Sequence, residues 1–495
     1  MTSQDSRRNC PMHGSQNSKH QFSRRTALKM GALGLSAATM GTLESLANVE
    51  RLAHAAPATL PNIQFDISHF IAPARTINGI QVRFGPVYTL FLTAKLKHTP
   101  NKEEQKILSN ALNTIESNYA FSPSGVFTFV SYGLPYFNRL PSSIVSSHMP
   151  RLLSNTNRFA LEEAVPGPTD VSPKNPGITK KTFNVPVTIE SNDVLFTIRS
   201  DSLSHAQDVA NWLQSHSNTL NGHTIHAPAL QGLFTFASSR LMFVQIGLPR
   251  KLADSNKLPY ASRVNPQSPM WMGFADQQVH GAGPAAITTF QGNASAKFTT
   301  TKSGDYFFDG SIQHLSHVIQ DLAQFYADDK PFIERCQYMF RSNPVPSLGN
   351  ADQFTNGGGP AVLDTVFQGT EDATANAQAM NTFHGKHRMG HLCALQRSSR
   401  AADKTPIHIR NDGPGFDNLD VPDGSSQPKL QFSIFVPTAD FFATMRTNQA
   451  SLDLVQKYGV ASDDNGLERF ITATRRQNFL VPPRSHRAFP LVELT

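Results

Sequence analysis

Residues 125–137 read GVFTFVSYGLPYF and residues 234–249 read FTFASSRLMFVQIGLP. Both carry FTF early and GLP late, and both have the β-branched and aromatic content of a strand. The same order of segments precedes each. Val87–Leu96 (VYTLFLTAKL) predicts a strand. Residues 99–119 then predict a helix, with Thr99 as cap, Pro100 in the first turn, and Ile107, Leu108, Ala111, Leu112 and Ile115 on one stripe. Asp193–Ser200 predicts a second strand, and Asp201–Gln214 a second helix with Leu203, Ala206, Val209, Ala210 and Leu213 on its stripe. Two split β-α-β halves specify a ferredoxin-like domain over residues 56–250, an antiparallel sheet with helices packed on one face.

A further unit opens at GDYFFDG (Gly304–Gly310) and runs into a predicted helix over 312–326, whose Ile312, Leu315, Val318, Ile319, Leu322 and Phe325 form a buried side. On that reading His314, His317 and Asp321 face solvent. The partner segments come late: a strand over 428–437, a helix over 438–459 and a strand over 477–483. Residues 304–495 thus form a second ferredoxin-like domain, interrupted by an insertion over about 340–427 that is rich in Gly, Asn, Pro and Asp, and residues 251–303 link the two. The fold class is α+β. A long insertion in a compact domain points to function.

The N-terminus has its own logic. Residues 23–29 (SRRTALK) place Arg24 and Arg25 before the uncharged run Met30–Leu43, too short to span a bilayer, and AHA at 53–55 offers a small-x-small cleavage site. The order of segments resembles a twin-arginine export signal, with Ala27 where that motif more often has Phe. The expectation is a leader over 1–55, a mature chain from about Ala56, and a periplasmic or extracellular location. Such export carries folded proteins and raises the prospect of a cofactor. The chain has 44 Lys+Arg and 37 Asp+Glu, a net charge of +7, but the leader holds seven of the basic and three of the acidic residues, leaving +3. A surface so nearly balanced, without a basic stripe, excludes nucleic acid as the main partner. Cys10 leaves with the leader. Cys336 and Cys393 remain, too few for a disulfide framework, and are either one bridge or two buried thiols.

Within the insertion, 383–393 reads FHGKHRMGHLC. His384, His387 and His391 have the i, i+3, i+7 spacing of one helical face, and imidazole suits zinc, copper, nickel or iron. Gly385 and Gly390 weaken that helix. A structural zinc site would want more ligands than Cys393 supplies, so the readings are a three-histidine site, a solvated cluster, or one ligand among the three.

Reading outward from the cluster, SPMWMGFADQQ (Ser268–Gln278), NDVLFTIRSDS, the strand end GLPYF, PKLQFSIFVPTADFF and QNFLVPPR together resemble dye-decolourising peroxidases, over nearly the whole mature chain. That family has a Gly-x-x-Asp-Gly motif; here it runs Gly273-Phe274-Ala275-Asp276-Gln277, with Gln277 replacing the last Gly. The resemblance implies two ferredoxin-like domains of the dimeric α+β barrel type and haem b as cofactor. It makes His391 the iron ligand, Asp276 the distal proton carrier, and Arg410, nineteen residues after His391, the distal arginine. His408 and His387 are rival ligands. Phe274 and Phe432 contact the cofactor, Phe432 being one of the alternating residues Leu430, Phe432 and Ile434 on the strand after Arg410.

Haem iron needs one imidazole and an open opposite face. A carboxylate there moves a proton from the inner to the outer oxygen of hydrogen peroxide, and an arginine steadies the charge that develops. The implied partners are hydrogen peroxide and a phenolic or dye-like small organic reductant, oxidised at the haem edge or through a surface Tyr or Trp. No membrane span is expected after cleavage, and a homo-oligomer is compatible with the reading. Two other readings are a haem-binding or iron-handling protein on the same fold, with little peroxidase activity, and an exported scaffold without a cofactor.

Overall fold

The computed structural model describes residues 84–274, 285–292, 297–327, 332–339, 407–450 and 465–495, together with 43–47, 59–73 and short pieces within 75–82, 381–391 and 452–459. Asp276, Gln277, His384 and Cys393 lie outside the described residues, as does most of the expected leader. Of that leader, Leu43 is buried on the first domain, where the Tyr88 hydroxyl donates to its carbonyl at 3.2 Å.

The first half follows the predicted order: β1 (Tyr88–Leu96), α1 (Lys102–Asn118), β2 (Phe127–Gly133), β3 (Val194–Ser200), α2 (Leu203–Leu213) and β4 (Phe234–Phe243). Two elements end early. The GLPYF and GLP stretches turn into short helices at Leu134–Phe137 and Leu248–Ser255 (α3), each with Pro at its start, where a missing N–H costs nothing. The cap of α1 is Asn101 rather than Thr99: its side chain accepts from Glu103 and Glu104 N–H at 2.9 and 3.0 Å, and Glu104 accepts from Asn101 N–H at 2.9 Å. Such a reciprocal box is worth about 1 kcal/mol.

The second half departs from expectation at one decisive place. Residues 312–326 are not a helix: Ser311–Gln320 is a strand, β5, and only Leu322–Phe325 is helical. GDYFFDG before it forms turns. All ten residues of β5 are buried. Its apolar spacing fits a helix by accident, because a strand covered on both faces loses the period of two that would announce it. His314 and His317 are therefore core residues on opposite faces, not surface ones. There follow β6 (Ile409–Arg410), β7 (Gly413–Asp417), β8 (Gln427–Val436), α4 (Ala439–Ala450) and β9 (Ile471–Val481).

Strands β1 to β9 belong to one sheet in the order β6-β8-β5-β9-β2-β3-β1-β4, with β7 also on β8 and Thr188–Ile189 parallel to β9. The two halves join where β9 pairs with β2 through Phe479↔Gly133 and Leu480↔Tyr132. The sheet then curls on itself. Phe91 of β1, Leu195 of β3, Met242 of β4, Leu315 of β5 and Phe479 of β9 form one apolar cluster, although β5 and β4 are far apart in strand order. Gly413 and Gly415 let β7 press against β4, since a Cβ at Gly413 would come within 2.5 Å of Val244 and one at Gly415 within 2.9 Å of the Leu241 carbonyl. The result is an α+β barrel with helices on its outside.

The barrel interior also holds charge. His317 meets Asp417 through Nε2 at 3.2 Å; Arg475 pairs with Asp420 through two bonds of 2.7 Å and reaches Glu190 at 3.3 Å; Arg240 pairs with Glu190 at 2.5 Å. Burial pushes His317 below the ordinary histidine range although Asp417 opposes it. The neutral ring then donates from Nε2 to the carboxylate. Among the described residues no helix is long and apolar enough to cross a membrane.

Candidate active site

Two of the predicted site residues, Arg410 and Phe432, share the outer face of the second half. Strand register places them. Arg410 lies opposite Ile434 and Gly413 opposite Gln431, so the alignment is unchanged across Asn411 and Asp412. Asn411 N–H donates to the Ser433 carbonyl at 2.7 Å, and Asp412 falls opposite Phe432. Continuing across β8, β5 and β9, Ile434 faces His314 and then Asn478, while Phe432 faces Ser316 and then Arg476. Directly opposed residues point to the same side of a sheet. One row therefore reads Arg410, Ile434, His314, Asn478, and the next Asp412, Phe432, Ser316, Arg476. With strands about 4.8 Å apart, Arg410 and His314 have Cα atoms roughly 10 Å apart.

Helix α4 lies over this face. Its Phe442 stacks on the His314 ring, and Phe432 packs 6.1 Å from Phe442. The protons of His314 follow from its neighbours. Asn478 Nδ2 donates to the Glu162 carbonyl at 3.0 Å, leaving Oδ1 to accept from His314 Nδ1 at 2.6 Å. Arg476 donates to Ser316 Oγ at 2.7 Å, and the Ser316 hydroxyl donates to His314 Nε2 at 2.6 Å. Both ring nitrogens are thereby engaged and the ring is neutral; burial, then the Arg476 charge, hold its pKa well below the usual value.

From Arg476 a buried ion chain runs toward the insertion. Arg476 grips Asp170 through bonds of 2.7 and 2.9 Å; Arg446 of α4 lies 3.7 Å from Asp170 and 3.3 Å from Glu468. Thr169 donates to the Glu468 carboxylate, and Lys180 to its backbone carbonyl. Burial would raise Asp170, but Arg476 and Arg446 bring it down to about 2. Glu468 is lowered for the same reason, chiefly by Arg446 and Lys180.

His391 sits at the end of that chain. Gly466, at φ +51°, lets the turn before Glu468 press on the His391 backbone; a Cβ there would lie 3.3 Å from His391 Cα. Burial lowers His391 to about 4, with Glu468 opposing and Arg446 reinforcing the shift. The ring is neutral at pH 7, and its Nδ1 is buried with no hydrogen-bond partner among the described residues.

The other predicted residues are dispersed. His387 lies on a short strand, Lys386–Arg388, paired with Asn381–Phe383, so the stretch forms no three-histidine helical face. His408 is buried two residues before Arg410. Phe274 is buried in the main core. Just before it, the Trp271 indole donates to the Gly415 carbonyl of β7 at 2.9 Å, tying the segment that leads to Asp276 to the strand beside Arg410. Among the described residues no group of three His, Cys, Asp or Glu side chains is arranged to hold a metal ion.

Sequence reasoning missed Asp412, Asp170, Arg446, Glu468 and Arg476. Only Asp412 carried a signal, standing two residues from Arg410 in the sequence. The ion chain joins segments some 300 residues apart and left none.

A profile of the family described as "Family of unknown function (DUF7405)" matches residues 86–483. The chain belongs to that family. No curated protein matches it. Among solved structures, this DUF7405 member is similar to a DyP-type peroxidase from Cellulomonas bogoriensis (12% identity, 85% of this chain and 98% of that one, TM-score 0.48). It is also similar to a variant of Rhodococcus jostii RHA1 DypB in complex with heme (13%, 84% and 97%, 0.46) and to a dye-decolorizing peroxidase from Bacteroides thetaiotaomicron (13%, 85% and 97%, 0.43). All three TM-scores fall below 0.5, too low for the likeness to carry an activity across.

Proposed function

We propose that the protein is an exported, haem-dependent peroxidase that reduces hydrogen peroxide and oxidises phenolic or dye-like donors. The observation that supports this best is His391, a neutral imidazole whose buried Nδ1 has no hydrogen-bond partner among the described residues, close to Arg446 of the helix that lies over the sheet face carrying Arg410 and Phe432. An iron ligand must be unprotonated, and a histidine near pH 4 satisfies that throughout the neutral range. The donor set fits haem at this point. His391 would hold the iron, and Phe432 would contact the macrocycle.

Bound haem supplies a redox-active iron able to deliver the two electrons that cleaving the O–O bond of hydrogen peroxide consumes. The chain's own part is electrostatic and protonic. Arg410, permanently charged, steadies negative charge on the departing oxygen. Asp276 carries the proton from one peroxide oxygen to the other. Glu468, held ionised by Arg446 and Lys180, puts a negative field beside His391 that raises the basicity of the ring.

The test is the absorbance spectrum after expression with ample haem. A Soret band is expected in the wild type and its loss in His391→Ala. An absent band in the wild type refutes the proposal; a band unchanged in His391→Ala moves the ligand to His408 or His387.

A further inference from the structure

We propose that residues 43–47 are a fold-dependent latch, a turn of the expected leader that seats on the first domain once that domain has folded and departs when the leader is cut at 53–55. The proposal rests on the export half of the reading above and is independent of haem. A leader that is cut away is ordinarily no part of the fold it leaves. The last part of this leader is built into the domain. Leu43 is 1% exposed and belongs to the main apolar core, with Leu46 and Ala47 packed against it. Residues 43–46 make one helical turn, closed by the Ala47 N–H donating to the Leu43 carbonyl at 3.2 Å.

Three elements of the first domain hold that turn. The hydroxyl of buried Tyr88 on β1 donates to the Leu43 carbonyl at 3.2 Å, and Lys251 Nζ on α3 donates to the Leu46 carbonyl at 3.1 Å. The Ser204 N–H of α2 donates to Glu44 Oε1 at 3.4 Å. This last contact answers a need of α2. Its cap, Ser202, accepts from the His205 N–H, and its first turn holds no acidic residue, so the Ser204 N–H is left over and the positive helix end lacks a counter-charge. Glu44 supplies both. Lys251 does the converse, placing a cation on a carbonyl at the C-terminal end of the latch.

A single turn does not stand alone in water, because nucleation fixes several residues for one hydrogen bond. Tyr88, Ser204 and Lys251 are far apart in the chain and meet only through the sheet and its helices, so an unfolded first domain offers no seat. Cutting at 53–55 changes the balance. While attached, the turn is kept at high effective concentration by the chain that leads to β1; once severed, it must bind as a separate peptide through these few contacts, and it dissociates.

The experiment follows alkylation by iodoacetamide in the full chain, read by mass at residue 43 in Leu43→Cys and at residue 45 in Ser45→Cys, an exposed position of the same turn. In the folded protein Leu43→Cys is expected to react at least about 10-fold more slowly than Ser45→Cys, and in urea at the same rate. Adding Tyr88→Phe or Lys251→Ala, each of which removes one donor, should speed Leu43→Cys about 5-fold. The exported protein should begin near Ala56, and its Lys251 should be acetylated about 5-fold faster than that of the full chain. Equal rates for Leu43→Cys and Ser45→Cys in the folded chain overturn the proposal, as do rates that ignore Tyr88→Phe and Lys251→Ala. An exported chain that still contains Leu43, or a chain that is never exported, makes the turn a permanent part of the domain and overturns it too. All of these are read without haem, so an absent Soret band refutes the peroxidase reading alone.

Discussion

Asp170→Asn tests whether the ion chain under α4 holds the site together. The folded carboxyl sits at about 2, against 3.8 for a free one, and its side chain is almost wholly buried. At about 1.4 kcal/mol per pKa unit, the ionised form contributes roughly 2.5 kcal/mol to stability at neutral pH. The folded pKa is depressed, so that stability is complete above the ordinary pKa and disappears as pH falls through about 2. Replacing Asp170 by the isosteric amide does more than forfeit it. Arg476 and Arg446 are left buried without the charge between them, and breaking a buried pair from one side costs about 3–5 kcal/mol. Urea unfolding of both proteins between pH 7 and pH 2 should show a gap of about that size at pH 7, narrowing below pH 4. A gap under about 1 kcal/mol at pH 7, or one that stays constant down to pH 2, would mean that Asp170 is not the counter-charge of these arginines and that the reasoning is wrong.

Gly466→Ala forces a side chain into a left-handed conformation 3.3 Å from His391, so a stability loss of about 1 kcal/mol and a weaker Soret band per protein are expected; unchanged haem uptake would sever Gly466 from the placement of His391. Ser316→Ala removes the hydroxyl that donates to His314 Nε2 and leaves that nitrogen buried and unsatisfied, costing about 1–3 kcal/mol by chemical denaturation; a cost near zero would mean that His314 takes its other tautomer.

The helical stripes at 107–115 and 203–213 were legible because one face of each helix meets the sheet and the other meets water, so the period of 3.6 survives in the sequence. The strands around FTF were legible from composition. β5 was not: between β8 and β9, with the barrel interior on one side and α4 on the other, no residue faces water and nothing constrains the pattern to alternate. The placing of His314 and His317 failed with it. The sequence offered the candidate site only as single residues in chain order; in the structure Arg410 and Phe432 share one face, His391 lies near Arg446 of the helix above it, and Asp276 lies outside the described residues.

By itself, then, the sequence determined which segments become strands and helices wherever burial is one-sided, and offered His391, Arg410 and Asp276 as candidates for the proposed site. Only the tertiary structure decided that the two halves share one curled sheet, that Asp412 stands beside Arg410, and that Asp170, Arg446 and Glu468 tie the sheet to His391. The reason is range. A helix period or strand composition is written within a dozen residues, whereas register and buried ion pairs are set by partners hundreds of residues away, whose identity no local pattern encodes.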